Sequence, residues 1–332
     1  MPPIQPISLP RLILYYQTLH DPNGRHISLL PLLTQPSIAV THLILAAIHI
    51  NASPSDLTLN DHPPSHPRYH AVWAELRLLQ ASGIKVLAML GGAAKGTYQR
   101  LDFPRPTDSD EPCIDRFHDF YPPLCNLLRH RGLDGIDLDV EEPMSLPGIM
   151  RLIDRLRADF GPDFIITMAP VATALVDVEK NLSGFDYEAL EVMRGAQIAW
   201  YNTQFYCGWG DLHTGSTALY HFILRKGWPP SKVVIGLVTN PDNGSGFVPW
   251  SLLNLLLTSI NRSHAGAFGG VMGWEYFNSM PGGTAEPWQW ARHMSMLLRR
   301  HALKSPSDSV SLHASLDAPL PHDFDYFSDT CD

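Results

Sequence analysis

Residues 133–142 read LDGIDLDVEE, in which acids alternate with apolar residues from Asp137 to Glu141. Successive side chains of an extended strand point to opposite faces. Asp137, Asp139 and Glu141 therefore share one face, and Ile136, Leu138 and Val140 share the other. The apolar face suits packing against helices. Three carboxylates on the other face are costly to bury unless their protons and hydrogen bonds are arranged for them. Closely spaced carboxyls do not all ionise, so one stays protonated near neutral pH, as a general acid requires. The titration belongs to the set rather than to one residue. Asp134 has the opposite parity to Glu141 and is expected to hold the strand entry.

Seven similar short apolar runs flank this one, at residues 11–17, 39–49, 84–91, 164–170, 197–206, 232–239 and 270–277. Nearly continuous apolar runs suit parallel strands covered on both faces. Helical patterns lie between them, at 69–82, 114–130, 147–160, 187–195, 216–227, 250–262 and 288–301. In 147–160, Ile149, Ile153, Leu156 and Phe160 fall on one face at helical period. Strand and helix alternating eight times predict an α/β chain, a (β/α)8 TIM barrel forming a single domain over residues 1–303. An open doubly wound sheet is the other architecture with this alternation, and eight strands are many for it. The polar tail 304–332, rich in serine, proline and aspartate, is expected to carry little order. In a parallel barrel, chemistry sits at the C-terminal ends of strands. Glu141 lies at that end, with Asp139 and Asp137 successively deeper.

With 332 residues, 45% of them hydrophobic, the chain can bury a core of that size. Only 17% are charged and the formal net charge is −9, which argues against a nucleic-acid partner. Prolines break the first ten residues, so the start does not read as a signal peptide and a cytoplasmic location is expected. No run reaches the length of about 20 apolar residues that a membrane span needs. Cys113 and Cys125 flank one predicted helix at a separation of about 18 Å, too far for a disulfide. Free thiols fit a reducing compartment. Glycine-rich nucleotide-binding turns are missing. His62, His66 and His70 have a metal-like spacing, but Pro63, Pro64 and Pro67 break the helix that would align them.

Asp134-Gly-Ile-Asp137-Leu-Asp139-Val-Glu141 resembles the DGxDxDxE signature of glycoside hydrolase family 18, the chitinases and endo-β-N-acetylglucosaminidases. Supporting segments follow in order: Gly91–Gly92 ending the third strand, Met168-Ala-Pro170 on the fifth, Gln204-Phe-Tyr206 on the sixth and Gly269-Gly-Val-Met-Gly-Trp274 on the eighth. The resemblance covers roughly residues 10–300. It implies substrate-assisted retaining hydrolysis, with Glu141 as acid and base. Asp139 would orient the 2-acetamido group of the sugar, and Asp137 would share a proton or hydrogen bond with it. Tyr206 would donate to the acetamido oxygen, and Trp274 would floor the sugar. Gln204 shares a face with Tyr206 and is placed in the site with Met168, Gly91 and Gly92. Trp209 is the best placed of Trp209, Trp250 and Trp288 to act as a sugar platform. No cofactor and no metal are implied.

The chain departs from the family pattern in three places. Met89 stands where a small hydroxyl residue is usual, so its hydrogen bond to the inner aspartate would be missing. Cys207 follows Tyr206 where plant-type members more often carry Asn. Only about 30 residues separate the last two strands, too few for the α+β insertion domain that deepens many chitinase clefts, which predicts an open, shallow groove and endo-type cleavage. The implied partner is an oligosaccharide containing N-acetylglucosamine, either chitin or an N-glycan, with a slight lean to chitin. A non-catalytic sugar-binding barrel is the competing class. Such barrels typically lose the acid, whereas Glu141 and Asp139 are both present. An unrelated barrel with a metal-binding acidic strand is the third.

Overall fold

The computed structural model describes residues 9–104 and 115–299. Eight strands run parallel: β1 (Arg11–Tyr16), β2 (His42–Ile50), β4 (Lys85–Gly91), β5 (Gly135–Asp139), β6 (Ile165–Met168), β7 (Trp200–Gln204), β8 (Val233–Val238) and β9 (Gly270–Trp274). β1 pairs with both β2 and β9, so the ring closes into the predicted (β/α)8 barrel. A ninth strand, β3 (Leu57–Leu59), turns back antiparallel on β2. Its three residues are too short a run to register as a strand in the sequence.

Helices α2 (His70–Ala81), α3 (Phe117–Arg131), α4 (Leu146–Phe160), α5 (Tyr187–Arg194), α6 (Ala218–Arg225), α7 (Trp250–Ser263) and α8 (Trp288–Arg299) match the helical patterns to within a few residues. Residues 300–301 of the last pattern, position 114 and the tail 304–332 lie outside the described residues. The first crossover carries only α1, the four residues Pro31–Thr34. α4 shows why the pattern was readable. Ile149, Leu152, Ile153 and Leu156 form its buried stripe, and Ser145 caps its start by accepting from the Gly148 amide at 3.0 Å. Among the described residues no helix is long and apolar enough to cross a membrane.

The alternation within strands sorts the core into two layers. Leu14, Leu43, Val86, Leu138, Met168 and Ile235 face outward and pack with the helices. Ile13, Tyr15, Ile44, Leu87, Met89, Trp200, Val234 and Met272 fill the barrel interior. Asp137 and Asp139 share that interior face. At the strand entry Asp134 accepts from the Val86 amide at 2.9 Å and from Gln80 at 2.8 Å, and it pairs with Lys85 at 2.9 Å. Cys125 is buried in α3 and carries a free thiol, as does exposed Cys207. Cys113 and Cys331 lie outside the described residues.

The sheet ends before the apolar runs do. β5 stops at Asp139, β6 at Met168 and β7 at Gln204. The two residues beyond each end rise out of the ladder at the C-terminal mouth, which lifts Glu141 and Tyr206 above the barrel floor. Between β8 and β9 the chain spends residues 239–269 on a short turn and α7, with no further domain.

β5 lies close to β6 because Gly135 has no side chain. A Cβ there would overlap the Ile165 carbonyl oxygen and stand 2.7 Å from the Ile165 Cβ. Gly135→Ala is expected to push the strands apart beneath the acids and to lower stability by about 1–3 kcal/mol, measured by urea denaturation. Unchanged stability would contradict the close approach.

Candidate active site

Asp137 is fully buried and accepts three hydrogen bonds, from Tyr15 Oη at 2.7 Å, Thr167 Oγ1 at 2.5 Å and Asn202 Nδ2 at 3.0 Å. Burial raises its pKa, and the three donors pull it back in part. The hydrogen bond missing at Met89 is thus replaced by hydroxyls from β1 and β6 and an amide from β7. Met89 packs inside the barrel, with its methyl under Gly92.

Asp139 is one step higher and 5% exposed. Among the described residues its carboxyl receives only a long hydrogen bond from Gln204 Nε2, at 3.4 Å. Burial raises its pKa well above the usual carboxylate range, with Glu141 and then Asp137 adding to the shift. Glu141 is half-buried at the mouth and accepts from Gln204 Nε2 at 3.1 Å. The same amide donates to the Ala169 carbonyl at 3.0 Å. Two amide hydrogens are therefore spread over three acceptors, and Gln204 ties both acids to β6.

The loop after β4 closes against this strand because of its two glycines. Gly91 and Gly92 have φ of 88° and 87°, a region costly for other residues. A Cβ on Gly91 would stand 2.6 Å from the Asp139 carbonyl oxygen, and one on Gly92 would stand 2.5 Å from the Met89 methyl. The Gly92 amide donates to the Asp139 carbonyl at 2.9 Å. Glu142, of opposite parity, turns away from the groove. It accepts from the Gly96 and Tyr98 amides, both at 2.7 Å, and pins the loop.

Tyr206 is 8% exposed. Burial and the neighbouring Asp139 and Glu141 hold its phenol pKa well above the usual value, so the hydroxyl stays a donor. Half-buried Trp274 ends β9, with its ring edge-on to Tyr15 at a centroid distance of 5.5 Å. Trp209, also half-buried, stands on the wall after β7. Asp139, Glu141, Gln204, Tyr206, Trp209 and Trp274 line one groove of about 480 Å³ with Gly91 and Gly92.

One expected site residue is placed elsewhere. Met168 does not reach the groove. It pairs in register with Leu138, shares that residue's outward face and packs against the helices. The inward position on β6 belongs to Thr167. Asp137 lies beneath the groove, at the depth its place on the strand predicts. Trp250 and Trp288 are also away from it: Trp250 packs on His293 and Trp288 is buried in the helical layer. The His62 and His66 rings stack at 4.5 Å, and among the described residues no group of three His, Cys, Asp or Glu is placed to hold a metal.

Two residues that shape the site were missed in the sequence. Glu275 is buried and accepts from the Gln17 amide at 3.1 Å and from the Thr18 amide and hydroxyl at 2.7 and 2.9 Å. It clamps the end of β1 to the end of β9 beside Trp274. Asn243 lines the groove and donates to Thr239, Asn278 and the Trp274 carbonyl. The only sequence signal for Glu275 is an acid directly after Trp274 in an apolar run. Asn243 sits in a polar loop with no signal at all.

At the mouth of a closed parallel barrel a half-buried acid thus stands above a buried aspartic acid, in a groove that an indole also lines. Residues 11–245 match Glycosyl hydrolases family 18, and the chain belongs to that family. It is similar to a fungal endo-β-N-acetylglucosaminidase of the family, with 48% identity and a TM-score of 0.81 over 89% of this chain and 100% of that one. It is also similar to the chitinase ChiC from Aspergillus fumigatus, with 51% identity and a TM-score of 0.75 over 86% and 98% of the two chains. Chitinase 2 of Rhizopus oligosporus is 29% identical over 226 residues, 62% of this chain. The chain spans 36% of that relative's length.

The raised pKa of Asp139 has a consequence for stability. Between the unfolded and folded values the folded protein holds more protons than the unfolded chain. The contribution is present below the unfolded value, about 3.9, and is lost as pH rises towards the folded value. Asp139→Asn is therefore expected to melt at a higher temperature than the parent at pH 7, with the gap closing as pH falls to about 4. A lower melting temperature for the variant at pH 7 would refute the neutral, buried carboxyl.

Proposed function

We propose that this chain hydrolyses the β-1,4 bond between two N-acetylglucosamine units, with retention of configuration and with the substrate's own 2-acetamido carbonyl as nucleophile. The observation that carries this reading is the state of Asp139. A two-carboxylate retaining mechanism needs a second carboxylate that is ionised and placed across the bond from the acid. Asp139 is not so placed: it sits two residues below Glu141 on the same face, and its burial favours the protonated form. A neutral group there can hold an acetamide, and it can ionise as positive charge develops beside it.

Glu141 protonates the glycosidic oxygen as the acetamido oxygen attacks the anomeric carbon, and the bond to the leaving sugar breaks. The oxazolinium-like intermediate carries positive charge, which favours ionised Asp139; its proton is shared with Asp137. Tyr206 donates to the acetamido oxygen and fixes its direction. Trp274 provides the apolar floor. Glu141, now a carboxylate, takes a proton from water, which attacks the anomeric carbon from the side the leaving sugar vacated; the bond from that carbon to the acetamido oxygen breaks, the neutral acetamide is restored, and the shared proton returns from Asp137 to Asp139.

This bond occurs in chitin and in the chitobiose core of N-glycans. Chitin-type substrates are the leading reading, supported by the likeness to ChiC. The 48% identity to an endo-β-N-acetylglucosaminidase across that whole chain supports the N-glycan core as the second. Mass analysis of products from chitin oligomers and from a high-mannose glycopeptide separates them. Glycopeptide cleaved between its core sugars, with chitin oligomers intact, would overturn the leading reading. Glu141→Gln is expected to lower kcat by about 10²- to 10⁴-fold while sugar binding persists. Near-normal turnover in this variant would remove Glu141 from the acid role.

A further inference from the structure

Between α7 and α8 lies a pocket of about 450 Å³ that shares no lining residue with the groove. We propose that it is a second binding site, which takes the acetamido group of an N-acetylglucosamine unit of chitin outside the catalytic groove. The proposal rests on the reading above that the substrate is built of N-acetylglucosamine. It gives the polymer a second hold on the protein.

The pocket lies at the same mouth of the barrel as the groove. Leu237 and Val238, which end β8, form part of it, and Val238 pairs in register with Trp274. The chain beyond β8 then walls both spaces. Asn243 lines the groove, whereas Phe247 lines the pocket and packs against the interior layer that holds Tyr206. With no residue lining both, a sugar in the groove and a sugar in the pocket are different units.

The lining indicates what the pocket takes. Its walls are apolar, with Phe247, Val248, Leu253 and Pro281 among them, and only Trp250, Trp290 and His293 bring side-chain nitrogens into it. Trp290 is 3% exposed, and its indole N–H meets no acceptor among the described residues. A buried donor without a partner is costly. His293 lies three residues further along α8. Its Nδ1 faces the Gln289 carbonyl at 2.9 Å and must donate, which leaves Nε2 of the neutral ring as an acceptor. Positions three apart on a helix share a face, so this donor and this acceptor stand together.

A secondary acetamide carries the complementary set. Its carbonyl accepts from the Trp290 N–H, its N–H donates to His293 Nε2, and its methyl rests on the apolar wall. A few placed polar groups in an apolar, aromatic pocket are what fix the orientation of a small ligand. Trp250 supplies a platform for the ring that bears the acetamide. It begins α7, is 38% exposed and leans on His293 at a centroid distance of 5.0 Å. A glucose unit carries a hydroxyl where the acetamide would be. In this pocket that hydroxyl would lie against apolar side chains and leave the Trp290 N–H unpaired.

The test is adsorption of full-length Glu141→Gln protein to insoluble chitin, with and without Trp250→Ala. Cellulose is the control, since it keeps the β-1,4 backbone and lacks the acetamide. Trp250→Ala is expected to weaken adsorption to chitin at least about fivefold and to leave adsorption to cellulose unchanged. His293→Leu, which keeps the bulk and removes the acceptor, is expected to do the same. In the wild-type background both substitutions are expected to retain the melting temperature and kcat/KM on soluble chitin tetramer, which reports an intact fold and groove. Unchanged adsorption to chitin, or a loss shared equally with cellulose, would overturn the acetamide site. A loss confined to chitin, in a protein whose wild-type form cleaves no chitin oligomer, would instead count against the hydrolytic reading alone.

Discussion

The Asp139 carboxyl is buried between two other acids, with no cation among the described residues to offset them. The features around it fit that constraint. Asp137 beneath is supplied with three donors, so it can carry charge or share a proton. Asp139 is buried with one long hydrogen bond from a described residue, and burial and its two acidic neighbours push its pKa up. Glu141 is raised out of the sheet into partial solvent. The three acids, alike in sequence, are given different environments by depth alone. Such separation of environments is how neighbouring carboxyls come to take different roles.

The backbone around the acids serves the same end. Gly91 and Gly92 let the β4 loop touch the acid strand, and Glu142 fastens that loop from behind. Gln204 bridges β7 to both acids and to β6. Glu275 sets the end of β1 beside Trp274. Six strand ends, those of β1, β4, β5, β6, β7 and β9, are thereby joined at the mouth by groups that do not themselves need to react.

The barrel was legible in the sequence because its strands are buried on both faces and its helices on one. Those two constraints leave apolar runs and 3.6-residue stripes respectively, as residues 134–141 and α4 show. The acid face was legible because charges at period two cannot be a bland core. Met168 misled because family likeness of a segment does not specify which of its residues points inward. Register with Asp137 gives that place to Thr167. The donors to Asp137 were hidden for a different reason. Tyr15, Thr167 and Asn202 lie 122, 30 and 65 residues away along the chain and meet only when the barrel closes. Met89 looked like a lost hydrogen bond from its own strand, although β1, β6 and β7 supply the replacement.

The central claim is that the substrate's acetamide, and not a protein carboxylate, attacks the anomeric carbon while neutral Asp139 steers it. The most direct measurement is kcat for a series of aryl chitobiosides whose reacting acetamide carries zero, one, two or three fluorines. Fluorine draws electrons from the carbonyl oxygen without adding much bulk. If that oxygen is the nucleophile, kcat falls with each added fluorine. A kcat that stays level across the series would contradict it and return the nucleophile's role to the protein.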